Sequence, residues 1–240
     1  MAERTTELRA MNAELEAFSY SVAHDLRAPL HSLQSFAQIL LEDYSDRLDA
    51  EDRGYAQRIV TAARRLDALT HDLLTYSHFG RAAMVLEPVN LEEVVEEVLT
   101  ELKAEIRTKA AHVSVDKPLP PVLGHSTTLV QVVSNLLMNG LKFVAPGIRP
   151  HVQIWTTERD EWVRPRIRDN GIGIAAEDHE RIFAIFERLH GVDAYLGTGI
   201  GLAIVRKSME RMRGHVGVES ALEQGSSFWV ELPKYAEGRP

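Results

Sequence analysis

From Leu8 to Leu40 the apolar residues recur at steps of three and four, and this spacing narrows the fold of the chain further than any other feature. Leu8, Met11, Leu15, Phe18 and Val22 alternate the two steps, which is the spacing of a coiled-coil seam. Val22, Leu26 and Leu30 then follow at two steps of four, a local stutter that relaxes the supercoil. Pro29 stands in the same stretch, where it removes a backbone hydrogen bond and favours a kink. The seam resumes through Leu33, Ala37 and Leu40. A polar run from Glu42 to Asp49 reads as a turn, and Tyr55, Ile59, Ala62, Leu66, Leu69, Leu73 and Tyr76 mark a second helix. Together they predict a helical hairpin with one apolar face. A lone hairpin cannot bury that face well, so two copies are expected to pair into a four-helix bundle, in preference to a hairpin packed on the downstream domain.

His24 sits inside the stutter. At 100° per residue it stands about 200° from both Val22 and Leu26, so its imidazole is expected to point away from the seam into water. An exposed neutral imidazole with an acid, Asp25, beside it in sequence suits a nucleophile. The competing reading is an ordinary surface histidine on a coiled coil.

Composition restricts the setting. The 240 residues are 45% apolar and 26% charged, ordinary for a globular protein of one large or two small domains. A formal charge of −8 argues against a general nucleic-acid surface. Cysteine is absent, which excludes disulfide and thiolate chemistry and fits a cytosolic protein. No run of 18 apolar residues exists and the N-terminus is not a signal peptide, so the chain is expected to be soluble, with any membrane or sensor segment outside it.

The periodicity lapses around Gly80 to Pro88, and 83–90 reads as a linker between a hairpin over 1–82 and a second domain over 91–235. In that second domain Leu91, Val94, Val95, Val98, Leu102 and Ile106 predict an amphipathic helix, and Thr127 to Phe143 a strongly apolar one. Strands are expected at 112–115, 151–156, 162–168, 216–218 and 227–232. Pro165 inside one of them points to an edge strand or a bulge. A last helix runs from Gly199 to Met212 and begins in glycines. The pattern is an α+β sandwich with helices on one face of a mixed sheet.

Three segments of the sandwich carry chemistry. Asn135 and Asn139 are four apart and so share a helical face, with Lys142 three further on. Carboxamide oxygens suit Mg²⁺, and a lysine beside them suits phosphate. Asp169-Asn170-Gly171-Ile172-Gly173 follows a strand; its glycines allow tight turning, and its aspartate can accept a hydrogen bond from a base's exocyclic amine. Gly197-Thr198-Gly199-Ile200-Gly201 enters a helix, where unhindered N–H groups bind phosphate. Singly these match a polar helix face, an ordinary turn and a common glycine pattern. In this order they supply metal, base and phosphate contacts for ATP.

At these residues the chain resembles the sensor histidine kinases of bacterial two-component signalling, over nearly its whole length. Phe18 to Leu30 is similar to that family's phosphoacceptor box, Asn135 to Phe143 to its asparagine box, and Ile182 to His190 to its phenylalanine box. Asp169 to Ile174 and Gly197 to Leu202 are similar to its two glycine boxes. Arg188-Leu189-His190 and the short run to Gly197 resemble the bacteriophytochrome-type subset.

The resemblance implies a dimeric four-helix bundle, joined through residues 1–80, followed by an α+β sandwich of the histidine-kinase and Hsp90-like ATP-binding type. It implies ATP and Mg²⁺ as ligands, a receiver domain of a response regulator as partner, and an upstream sensor domain outside this chain. His24 would be phosphorylated, with Asp25 orienting or deprotonating its imidazole. Asn139 would ligate Mg²⁺ with Asn135 assisting, Lys142 would contact phosphate, and Asp169 would read the adenine amine. Gly171 and Gly173 would let the nucleotide approach. Gly197, Thr198, Gly199 and Gly201 would cradle phosphate behind a lid at 190–196, and Arg188 would neutralise the transferring phosphoryl group. Two positions depart from the pattern. Ala28, four after His24, offers no group to hold a water where family members with strong phosphatase activity often carry Thr or Asn. Gly140 replaces the usual alanine, at a helix cost of ~1 kcal/mol. A catalytically weak nucleotide-binding dimeric scaffold is the alternative; a chaperone- or topoisomerase-type ATP clamp is disfavoured because Asn135 cannot serve as the water-activating base.

Overall fold

The computed structural model describes the backbone of residues 2–78, 84–189, 195 and 197–235, and within these the side chains of 2–20, 23, 24 and 78 lie outside the description. The chain divides into two compact units, Met1–Ala82 and Ala83–Pro240.

The first unit is the hairpin. Helix α1 (Ala2–Asp43) runs unbroken through Pro29, and a short 3-10 turn at Ser45–Arg47 leads to α2 (Ala50–His78). Asp49 starts α2: its Oδ1 accepts the N–H groups of Glu51 and Asp52 at 2.8 Å each, satisfying donors that a helix start leaves unpaired. Leu30 and Ala37 of α1 bury against Ala56, Val60, Ala63 and Leu74 of α2. The alanines let the two helices approach closely. On α2 these buried positions each fall one residue after the expected Tyr55, Ile59, Ala62 and Leu73; Tyr55, Ile59, Ala62 and Leu66 stay exposed within one chain, as do Val22, Leu26, Leu33 and Leu40 on α1.

The second unit begins with β1 (Glu87–Val89), which lies inside the stretch expected to be linker. It pairs antiparallel with β3 (Val122–Gly124), a strand hidden in the sequence behind Pro120-Pro121. The main sheet has the order β2-β4-β5-β7-β6, from β2 (His112–Val115), β4 (His151–Arg159), β5 (Trp162–Asp169), β6 (His215–Ser220) and β7 (Ser226–Pro233). β2 and β4 are parallel and the other pairs antiparallel. Helices α3 (Leu91–Glu101), α5 (Ser126–Lys142) and α6 (Gly201–Arg211) supply the apolar layer, while the short α4 (Lys103–Thr108) follows α3. Leu129, Leu136, Leu137 and Leu141 of α5 are essentially sealed from water, each contributing about 1.5–3 kcal/mol. Val152, Ile154, Val163, Ile167, Phe228, Val230 and Leu232 meet them from alternate sheet positions.

Pro165 falls on the central strand β5, against the expectation of an edge or bulge. Opposite Thr156 it still pairs with β4, but the pairing with β7 skips Arg164 and Pro165. A side-chain pair spans that gap: Arg164 donates to Glu231 at 2.8 and 3.1 Å and stacks its guanidinium 4.2 Å from the centre of the Trp229 ring. The missing proline donor is thus offset by contacts on the uncovered sheet face.

Candidate functional site in the sandwich

Three segments distant in sequence converge on the C-terminal end of α5. Burial of α5's apolar face turns Asn135, Asn139 and Lys142 to half-buried positions. Asn135 faces the start of α6: a Cβ on Gly201 would lie 3.3 Å from Asn135 Oδ1. Its Nδ2 is buried with no hydrogen-bond partner, a state that costs free energy until a ligand or water meets it. Lys142 Nζ lies against Gly197, where a Cβ would collide with it, and 4.3 Å from the centre of the Phe143 ring. Burial, then the charges of Arg188 and Lys109, lower the Lys142 ammonium to a pKa of about 8.

Asp169 ends β5 and is buried. Its Oδ1 accepts the N–H of Gly171 at 2.8 Å and of Ser226 at 3.1 Å, which leaves Oδ2 for a donor from outside. Burial raises its pKa to about 6, although both N–H groups and the Arg168 charge pull the other way. Gly140 has a structural reason here: α5 passes so near the sheet that a Cβ would come 3.1 Å from Val152 Cγ2 and 3.2 Å from Asp169 Cβ.

The glycines divide into two groups. The space kept by Gly171 is filled by the Phe143 carbonyl, that of Gly173 (φ +72°) by the Ala221 carbonyl, and that of Gly199 (φ +75°) by the Glu187 carbonyl. These three fit the fold's own close backbone crossings. Gly197 and Gly201 instead face Lys142 and Asn135. Thr198 Oγ1 accepts the N–H of Ile200 at 3.3 Å and shapes the entry to α6.

The Arg188 guanidinium donates to the carbonyls of Gly197 at 2.9 Å and Tyr195 at 2.8 Å, bracing the glycine run. The side chain of His24 and most of 190–196 lie outside the described residues; His24 falls in α1, and Asp25 is exposed there. Sequence reasoning missed Ser226, which follows Gly225, a glycine at φ +75° packed on the Asp169 carbonyl. The Gly-Ser pair before β7 was the available signal. Among the described residues no cluster of three or more His, Cys, Asp or Glu forms a metal site, and no helix is long and apolar enough to cross a membrane.

Residues 14–81 match the His Kinase A (phospho-acceptor) domain, and residues 124–236 the histidine kinase-, DNA gyrase B- and HSP90-like ATPase family. Over 97% of its length the chain is 37% identical to the phytochrome-like protein Cph1 of Synechocystis sp., covering 31% of that protein. Against the methanogenesis regulatory histidine kinase FilI of Methanothrix harundinacea it is 34% identical over 97% of its length, covering 26%. Full-length ShkA in complex with AMPPNP superposes with a TM-score of 0.69 at 31% identity, covering 95% of this chain and 47% of that one. The catalytic domain of histidine kinase ThkA gives 0.53 at 28% identity over 63% of this chain and 97% of its own. The chain belongs to the sensor histidine kinases, combining their phosphoacceptor and ATP-binding domains. Two further relatives are cyanobacterial phytochromes of Nostoc sp., and the chain spans about a quarter to a third of the curated relatives named.

Proposed function

We propose that this chain is a kinase core that phosphorylates its own His24 from ATP and passes the phosphoryl group to an aspartate of a separate receiver protein. One observation carries the reading best: a buried carboxylate with one oxygen spare, a half-buried lysine and an orphaned amide all lie along the C-terminal half of α5, the last two against the glycine-rich entry to α6.

Asp169 Oδ2 accepts from the adenine amine. The N–H groups at the start of α6 and the Lys142 ammonium hold the phosphates. Asn139 and Asn135 would hold Mg²⁺ through their carboxamide oxygens, and Asn135 Oδ1 faces Gly201, while its buried, unpartnered Nδ2 is free to donate to a phosphate oxygen. Magnesium supplies charge neutralisation on the phosphate oxygens when bound. A His24 imidazole nitrogen attacks the γ-phosphorus in line; the P–N bond forms as the bond from γ-phosphorus to the bridging β–γ oxygen breaks, and ADP leaves with that oxygen and its electron pair on the β-phosphate. The imidazole proton passes towards Asp25, the adjacent exposed carboxylate. Positioning and electrostatics carry most of such a transfer.

The exposed seam residues of α1 and α2 support a homodimer through the hairpin, and the absence of a membrane-crossing helix among the described residues accords with a cytoplasmic location. A hairpin over 1–82, a sandwich domain whose first strand is β1, and an upstream sensor segment complete the reading. Incubation with γ-labelled ATP and Mg²⁺ tests it. Label that is lost in acid and kept in alkali is expected, as for a phosphoramidate. ATP binding without any protein-bound label would leave a dimeric scaffold instead.

A further inference from the structure

Tyr195 is tied to the residues just after α5 in two ways and to Arg188 in a third. Its hydroxyl donates to the Val144 carbonyl at 3.1 Å. Its ring packs on Phe143, with centroids 5.2 Å apart and planes tilted by 48°. Its own carbonyl accepts from Arg188, whose second nitrogen donates to Gly197 two residues later. The far side of this junction is equally fixed. The Phe143 carbonyl accepts the N–H of Ile172 at 2.9 Å, and Phe143 lies under the Lys142 ammonium. Lys142 in turn abuts Gly197.

We propose that Tyr195 is a positioning residue for the phosphate end of the nucleotide site: it fastens the glycine run to α5 and so sets the separation of Lys142 from Gly197. The inference rests on the kinase reading and deepens it. Asp169 and Ser226, which serve the adenine end, make none of these contacts, so the tether acts on one end of the ligand only. A small weakening of the tether lowers the fraction of molecules with lysine and glycine run in register, and apparent affinity falls by that fraction.

The test is affinity for three probes, ATP, ADP and adenosine, in wild type, Tyr195→Phe and Tyr195→Ala, with melting temperature measured on each. Tyr195→Phe keeps the ring and removes one hydrogen bond, so ATP affinity should fall about fivefold, the size of an ordinary hydrogen bond, with adenosine unchanged within about twofold. Tyr195→Ala should extend the ATP loss to tens of fold and again spare adenosine. Equal losses for ATP and adenosine, or no loss for ATP, would overturn the assignment. A wild type that binds no ATP would sink the kinase reading itself, and the tether's role with it.

Discussion

Asp169 accepts, on Oδ1, the backbone N–H of Ser226 at 3.1 Å, joining the end of β5 to the start of β7 across 57 residues. That bond fixes which carboxylate oxygen is spare, and the surrounding burial makes the charge expensive. The Asp169 pKa is raised to about 6 from 3.8. The folded state therefore holds the proton more tightly than the unfolded one. Stability from this group is greatest below about pH 4, declines as pH rises to about 6 and is level above it. Ligand recognition runs the other way, because the ionised carboxylate is the better acceptor. ATP affinity should fall as pH drops through 6 in a titration. Asp169→Asn should lose ATP binding by at least about tenfold yet gain roughly 1–3 kcal/mol in denaturant unfolding at pH 7.

Lys142 gives the opposite limb. Its pKa is lowered to about 8 from 10.5, chiefly by burial, so the ammonium costs stability at neutral pH and the protein gains stability as pH rises from about 8 towards 10. Phosphate binding needs the ammonium. Isothermal titration should show ATP affinity decreasing above pH 8, with proton uptake on binding near that pH. Lys142→Met should weaken ATP by about tenfold or more, remove the alkaline limb and leave stability unchanged or higher.

The exposed seam of the hairpin predicts its assembly. Leu33 is 53% exposed and Leu66 47% in a single chain, although both follow the same three-four spacing as buried Leu30 and Ala37. A second copy covering them would bury about 1.5–3 kcal/mol for each such leucine. Leu33→Glu should therefore convert the dimer to monomer in light scattering at micromolar concentration, with the sandwich still folded. A wild type that is monomeric at that concentration would contradict this assembly.

Ala28 predicts weak dephosphorylation of the receiver, because a methyl group cannot hold the attacking water. Receiver phosphate should persist when the ADP-bound protein is added, and Ala28→Thr should shorten its lifetime several-fold. Rapid loss of receiver phosphate with the wild-type protein would contradict this reading.

The main helices of both units are legible because their apolar periodicity is local, whereas the caps Asp49 and Asn90 show only in the structure. Pro165 was misread because the contact that offsets it, Arg164 with Glu231, joins residues 67 apart. The site shows the same division. Asn135, Asn139, Lys142, Asp169 and the glycine run announce themselves by spacing. The reason for Gly171 and Gly173 does not, since it lies in the carbonyls of Phe143 and Ala221 crossing beside them. Gly140 looked like a costly departure in the sequence, but the Val152 and Asp169 side chains beside it explain why a small residue sits there.

The central claim is that ATP bound in the sandwich ends as phosphate on His24. The most direct measurement is mass spectrometry at neutral pH after incubation with Mg²⁺ and ATP, mapping the modified residue, with His24→Ala in parallel. A single phosphate on His24 in the wild type and none in His24→Ala is the predicted result. Phosphate at another residue, or an unmodified His24 in protein that demonstrably binds ATP, would contradict the account.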